Sequence, residues 1–293
     1  MEGLPEYLAR KKNYINDHLI QYIYEYTDEG RLREAMLYSV QAGGKRLRPI
    51  LLLATAEAYG ENEIKAMAAA CALEMIHTYS LIHDDLPAMD DDDVRRGQMT
   101  SHRKFDEATA ILAGDALLTL SFQVIAEEEN LTSEERIFLV KELSSASGGR
   151  GMVAGQMLDM QSEDKQVSLH ALETIHKNKT GRLLNFAVSA GAYIGNASQE
   201  ERKELVNMGE ALGLIFQIQD DILDVTGDAE VMGKPVGSDE GNFKSTYPKL
   251  LGLDGAMEQK NNYVQQAQQS LIAAGAEGTM LSKLIDYLSK RDH

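Results

Sequence analysis

Five prolines, at positions 5, 49, 87, 235 and 248, punctuate a chain of 293 residues, and the long stretches between them are filled with Ala, Leu, Met, Glu, Lys and Gln. Those residues lose little freedom in a helix, whereas proline ends one. No run of alternating β-branched residues stands out. The Asp254-Gly255 pair lacks the strand-like flanks of a hairpin. An all-α fold is expected, and helical periodicity predicts helices over 6–26, 32–42, 49–59, 64–85, 108–127, 133–146, 168–194, 199–225, 255–274 and 279–289. Pro49 suits a first helical residue and Gly60 a stop. The 199–225 helix carries an apolar stripe at Leu205, Met208, Leu212, Ile215 and Ile218. No linker or low-complexity segment divides the chain, so a single domain over 1–293 is expected. The Gly- and charge-rich stretch 227–245 reads as a mobile loop.

Twenty-nine basic residues against 46 acidic ones leave a net charge of −17. That excludes a nucleic-acid binder, which needs a basic face, and gives no attraction to an anionic membrane. One cysteine, Cys71, allows no disulfide within the chain, which fits a reducing compartment. Residues 1–13 lack the apolar core of a secretory leader, and no apolar run reaches the roughly 18 residues of a membrane span. A cytoplasmic protein is expected.

On so acidic a chain, three segments concentrate charge in ways that solubility does not require. His83–Arg96 places six aspartates between Asp84 and Asp93 and then two arginines, Arg95 and Arg96. Like charges this close repel by about 1 kcal/mol per pair at 4 Å even in water, a penalty that a hard divalent cation removes. A charge run is ordinarily a solvated loop; here it abuts an apolar helix. Pro87 disturbs the backbone so that Asp90 can return toward Asp84. The second segment, Gln217-Ile-Gln-Asp-Asp-Ile-Leu-Asp224, spaces Gln217, Asp220, Asp221 and Asp224 along one helical face. The third, Gly43-Gly-Lys-Arg-Leu-Arg-Pro49, is the strongest cationic run. It opens a helix whose N-terminus favours phosphate. His77, two turns before Asp84, shares roughly that face. Lys179, Thr180, Arg182, Lys234 and Lys244 are ordinary taken singly.

Together these segments resemble the trans-isoprenyl diphosphate synthase family. The matching stretches are GGKRLRP at 43–49, EMIHTYSLIHDDLPAMDDDDVRRG at 74–97, Lys179-Thr180, QIQDDILD at 217–224, GKPVGSD at 233–239 and KSTYPKLLG at 244–252. The resemblance implies a helical bundle around a deep cavity, a homodimer, and three Mg²⁺ per active site. It implies Asp84 and Asp90 as ligands of Mg²⁺ on the allylic diphosphate, with Asp85 beside them, and Asp220 as a ligand of the third Mg²⁺, supported by Asp221 and Asp224. Arg95, Lys179 and Lys234 would hold the allylic diphosphate, with Thr180 and Gln217 lining that site. Lys45, Arg48, His77 and Arg96 would bind isopentenyl diphosphate. Dimethylallyl and geranyl diphosphate are the expected allylic partners.

The product tail is expected to grow down the 64–85 helix, away from the aspartates. Tyr79 lies about 7.5 Å before Asp84 at 1.5 Å per residue, where its ring would form a floor. With the longer spacing of Asp84, Asp85 and Asp90, this resembles bacterial farnesyl diphosphate synthases. The alternatives are a geranylgeranyl diphosphate synthase, which favours a smaller floor residue, and a terpene cyclase, which has no need of GGKRLRP. A non-catalytic subunit would have lost aspartates. A His-Asp metal phosphohydrolase needs a histidine set that the other six histidines do not form. Residues 227–245 and Lys290–Arg291 are expected to close over bound diphosphates. Gln156 and Asp159 carry no pattern that assigns them.

Overall fold

A computed structural model describes residues 2–163, 165–226 and 245–291. The chain is all-α, with one short ribbon among the described residues. It divides into two compact units, 1–53 with 62–141, and 54–61 with 142–293. In chain order the helices are α1 (Leu4–Tyr26), α2 (Gly30–Gln41), α3 (Leu47–Ala58), α4 (Glu63–Asp84), α5 (Ser101–Lys104), α6 (Glu107–Glu127), α7 (Ser133–Ser147), α8 (Met152–Ser162), α9 (Leu169–His176), α10 (Arg182–Ile194), α11 (Gln199–Thr226), α12 (Tyr247–Ala273) and α13 (Met280–Lys290). A π turn, Lys177–Gly181, joins α9 to α10.

In the first unit, α4 is the central element. The Asn62 side chain accepts the Ile64 and Lys65 amides at its start, satisfying donors that a helix leaves unpaired. From Ala66 to Met75 every residue is buried, including the alanines at 66, 68, 69, 70 and 72 and the sole cysteine, Cys71. Apart from Glu74 this stretch is apolar on all sides and must be surrounded, and its small side chains let α1, α2 and α6 approach. Each buried Leu, Ile or Met there contributes about 1.5–3 kcal/mol. The ribbon pairs Val94–Arg95 (β1) with Gln98–Met99 (β2) across Arg96 and Gly97, both at positive φ, 53° and 75°. Sequence gave no sign of it, because the turn lacks the usual Asn-Gly or Asp-Gly pair.

The α6 helix carries Asp115 within it, so its apolar run is not continuous. It is long and apolar enough by length and composition to cross a membrane, though 44% of its most apolar window is buried within the structure. Ala110, Ala113, Gly114, Leu117, Leu120 and Ser121 form its buried face.

In the second unit, α11 packs on α10, on α12, on α13 and on the π turn. Leu172, Ile218, Ile222, Tyr247 and Ala256 form one buried cluster. The stretch 168–194, expected as one helix, is interrupted by the π turn. Helix α12 starts eight residues before the expected 255, the non-helical Gly252 (φ 73°) kinking it, so Asp254-Gly255 lies inside a helix.

Candidate functional site

Two clusters of charge emerge, one in each unit. In the first unit, α4 ends at Asp84 and the chain turns back, the Asp90 amide donating to the Asp84 carbonyl at 2.9 Å. The aspartates then separate by environment. Asp85 is 4% exposed and accepts from Arg95 Nε and a terminal guanidinium nitrogen, both at 2.6 Å. Burial pushes the Asp85 carboxyl up from its usual range, and Arg95 opposes that. Asp84 is half-buried and Asp90 exposed. Asp85 thus holds the ribbon arginine, while Asp84 is partly and Asp90 largely accessible to solvent.

The cationic segment lies in the same unit. Gly43 and Gly44 adopt φ of 97° and 117°, and a Cβ on Gly44 would meet the Arg96 guanidinium at 2.6 Å. Arg96 donates to the Gly43 carbonyl. Arg48 approaches His77 Nε2 at 3.3 Å. Burial, then Arg48 and Arg96, holds His77 well below the ordinary imidazole value, so the ring is neutral and Nε2 accepts. The structure therefore brings Lys45, Arg48, His77 and Arg96 into one unit with Arg95. A cleft bounded by Tyr38, Thr78, Asp85, Arg95, Arg96 and Ser101 opens beside them.

Tyr79 is 6% exposed, and its ring meets His83 edge-on at 5.7 Å. Burial, then Asp84, raises its hydroxyl to about 12. His83 is engaged with the Ile111 carbonyl of α6 at 3.1 Å.

In the second unit, Lys179 and Thr180 sit in the π turn, a geometry often found at functional sites. Two glycines wedge it. A Cβ on Gly155 of α8 would lie 2.2 Å from the Lys179 nitrogen, and one on Gly213 of α11 would lie 2.8 Å from the Gly181 Cα. Lys179 Nζ pairs with Asp159 at 2.6 Å, and Thr180 donates to Gln217 Oε1. Asp159, which no pattern assigned, is thus a partner of Lys179. Gln156, from the same helix, buries its Oε1 without a hydrogen-bond partner among the described residues.

The second aspartate segment divides as the first does. Asp221 is buried and accepts the Tyr247 amide at 2.9 Å, satisfying the first residue of α12. Asp224 is buried also. The Asp220 side chain is 42% exposed and pairs with Arg291, whose guanidinium stacks 3.9 Å from the Phe216 ring. The Arg291 carbonyl accepts from Gln219, which in turn accepts from Lys260 at 2.7 Å. Lys234 and Lys244, with the 227–244 part of the expected loop, lie outside the described residues.

Asp84, Asp90 and Asp220 offer carboxylate oxygens, the donors that Mg²⁺ prefers, and the existing partner of Asp220 is a cation. Among the described residues no three acidic, histidine or cysteine side chains converge as a metal cage. Mg²⁺ takes one or two protein carboxylates and completes its shell with water and phosphate. The donor set fits.

The family model described as Polyprenyl synthetase matches residues 29–277. Farnesyl diphosphate synthase of Geobacillus stearothermophilus is 48% identical over 99% of both chains. A chloroplastic geranylgeranyl pyrophosphate synthase of Catharanthus roseus is 46% identical over 90% of this chain and 74% of its own. The apo crystal structure of an FPP/GFPP synthase from Zymomonas mobilis superposes with a TM-score of 0.82 at 35% identity, covering 97% of this chain and 99% of that one. Both aspartate segments and the GGKRLRP run fall within the matched region, and the chain belongs to the polyprenyl synthetase family.

Proposed function

We propose that the chain is a farnesyl diphosphate synthase, joining isopentenyl diphosphate to dimethylallyl and then geranyl diphosphate with release of diphosphate. The observation that carries this reading is the 48% identity, over 99% of both chains, to a farnesyl diphosphate synthase. The single family match across 29–277 supports one functional domain over 1–293.

The residue roles follow from the chemistry. Breaking the allylic C–O bond leaves a carbocation and a diphosphate carrying the released electron pair. Arg95, Lys179 and Lys234 hold that diphosphate, and Thr180 and Gln217 orient it. Asp84 and Asp90, and separately Asp220, would hold Mg²⁺, three ions in all, which neutralise the charge developing on the leaving group. Lys45, Arg48, His77 and Arg96 place isopentenyl diphosphate so that its double bond attacks the cation. The proton lost in forming the new double bond goes to the released diphosphate. The exposure of Asp90 and the partial exposure of Asp84 and of the Asp220 side chain support these assignments, with Asp85 and Asp221 more deeply buried.

Tyr79, buried against His83, is the proposed floor that stops elongation at fifteen carbons, a count of three five-carbon units. A homodimer is proposed on α6, where Ile111 and Leu112 are 42% and 58% exposed on a helix of membrane-like apolarity. The cytosol is the proposed location, with α6 a packed helix rather than a span.

The test is product chain length. Purified protein is incubated with isopentenyl diphosphate, dimethylallyl diphosphate and Mg²⁺, and the dephosphorylated alcohols are identified. Farnesol as the end product is expected. Geranylgeraniol would replace the product assignment and remove Tyr79 as floor. No condensation, either with dimethylallyl diphosphate or with geranyl diphosphate in its place, would overturn the enzyme reading.

A further inference from the structure

Arg46 sits in the most cationic run of the chain, between Lys45 and Arg48, yet its guanidinium is turned into the protein. It is 4% exposed, and each of its nitrogens donates inward. Nε donates to Asn16 on α1 at 2.8 Å, one terminal nitrogen to Glu74 on α4 at 2.7 Å, and the other to the Val40 carbonyl of α2. Glu74 is itself buried. A buried carboxylate needs a counter-ion, and a planar guanidinium supplies one with fixed geometry.

The backbone at this residue is strained. Arg46 has φ of 54°, in the left-handed region that a side chain with a Cβ rarely adopts. Gly43 and Gly44 before it tolerate positive φ without strain and so do not fix the turn. Its carbonyl accepts the Ile50 amide at 3.0 Å, so Arg46 begins the hydrogen-bond ladder of α3, whose second residue is Arg48. Along α4, Glu74 and His77 lie three residues apart on one face, the first holding Arg46 and the second meeting Arg48.

We propose that Arg46 is a positioning residue: as the buried counter-ion of Glu74, it fixes the turn that places Lys45 and Arg48 for isopentenyl diphosphate. The proposal rests on the assignment of Lys45 and Arg48 made above. Arg46 itself does not touch substrate.

The test removes the pair without leaving a buried charge. A double variant, Arg46→Met with Glu74→Leu, substitutes apolar side chains of similar size, which generally preserves stability where a single substitution would not. The Asn16 and Val40 oxygens lose a donor, so thermal unfolding is expected to fall modestly while the variant remains folded. The KM for isopentenyl diphosphate is expected to rise on the order of tenfold to a hundredfold, with kcat and the KM for geranyl diphosphate held within about twofold. Amide hydrogen exchange at 43–48 is expected to speed up, and Arg46→Lys to recover part of the affinity. A parent-like KM for isopentenyl diphosphate in a folded double variant would overturn the proposal, as would an equal rise in both KM values. Unchanged exchange at 43–48 overturns it whatever the kinetics. The exchange arm needs no turnover, so a parent protein that makes no prenyl product would refute the enzyme reading and leave the anchor to be decided by exchange alone.

Discussion

Within each aspartate segment, neighbouring carboxylates have opposite surroundings, and substitutions there should separate accordingly. Asp84→Ala and Asp220→Ala are expected to lower kcat by at least about a hundredfold while the circular dichroism spectrum is preserved, since charge neutralisation at the leaving group is lost. Asp221→Ala should behave differently. The buried Asp221 carboxylate accepts the first amide of α12, so about 1–3 kcal/mol of stability is expected to disappear in urea unfolding. Acid should also act at residue scale. Burial holds His77 well below the ordinary value and brings His176 to about 4. Each ring binds a proton less readily folded than unfolded. Stability is therefore fully present above about pH 6.5 and is lost as pH falls from there, the His176 share continuing to about pH 4. Urea midpoints at pH 7, 6 and 5 should decline, and His176→Gln should flatten the decline; a parent-like slope in that variant would count against its role.

At the scale of the element, the π turn is the part most exposed to small changes. Gly155→Ala is expected to force α8 away from Lys179, with about 1–3 kcal/mol of stability lost and turnover reduced more than the stability loss explains. Thermal unfolding and steady-state rates on the same preparation would show it. This element also marks how far sequence reaches. The ten helices expected from periodicity have counterparts because apolar spacing and the few prolines are written along the chain. The π turn has no such mark: one extra residue in a turn leaves the composition of 168–194 fully helical. Helix α8 has no counterpart among the expected helices, and Gly148, Gly149 and Gly151 stand just before it. The GGKRLRP run and both aspartate segments were legible as charge. What was not legible is direction: nothing in the letters says that Arg46 turns inward, or that Asp85 and Asp221 are buried against protein partners. Direction is settled by partners distant in sequence, such as Asn16 and Glu74 for Arg46 and Tyr247 for Asp221.

For the whole molecule, the exposed apolar side of α6 is the proposed interface between two copies of the chain. Light scattering coupled to size exclusion should give twice the 32.4 kDa chain mass, and Leu112→Glu should return it to one chain. A parent protein that runs as a single chain would remove α6 as an interface. The alanine-rich interior of α4 has another consequence. Cys71 is the sole thiol, fully buried, with its Sγ 4.0 Å from the Ile15 carbonyl of α1. Burial pushes that thiol well above its usual range. A thiol reagent has one target, and reaches it only when the first unit opens. The native protein therefore carries its own clock: the rate at which Cys71 becomes labelled under non-denaturing conditions times the opening of the helix that ends in the first aspartates.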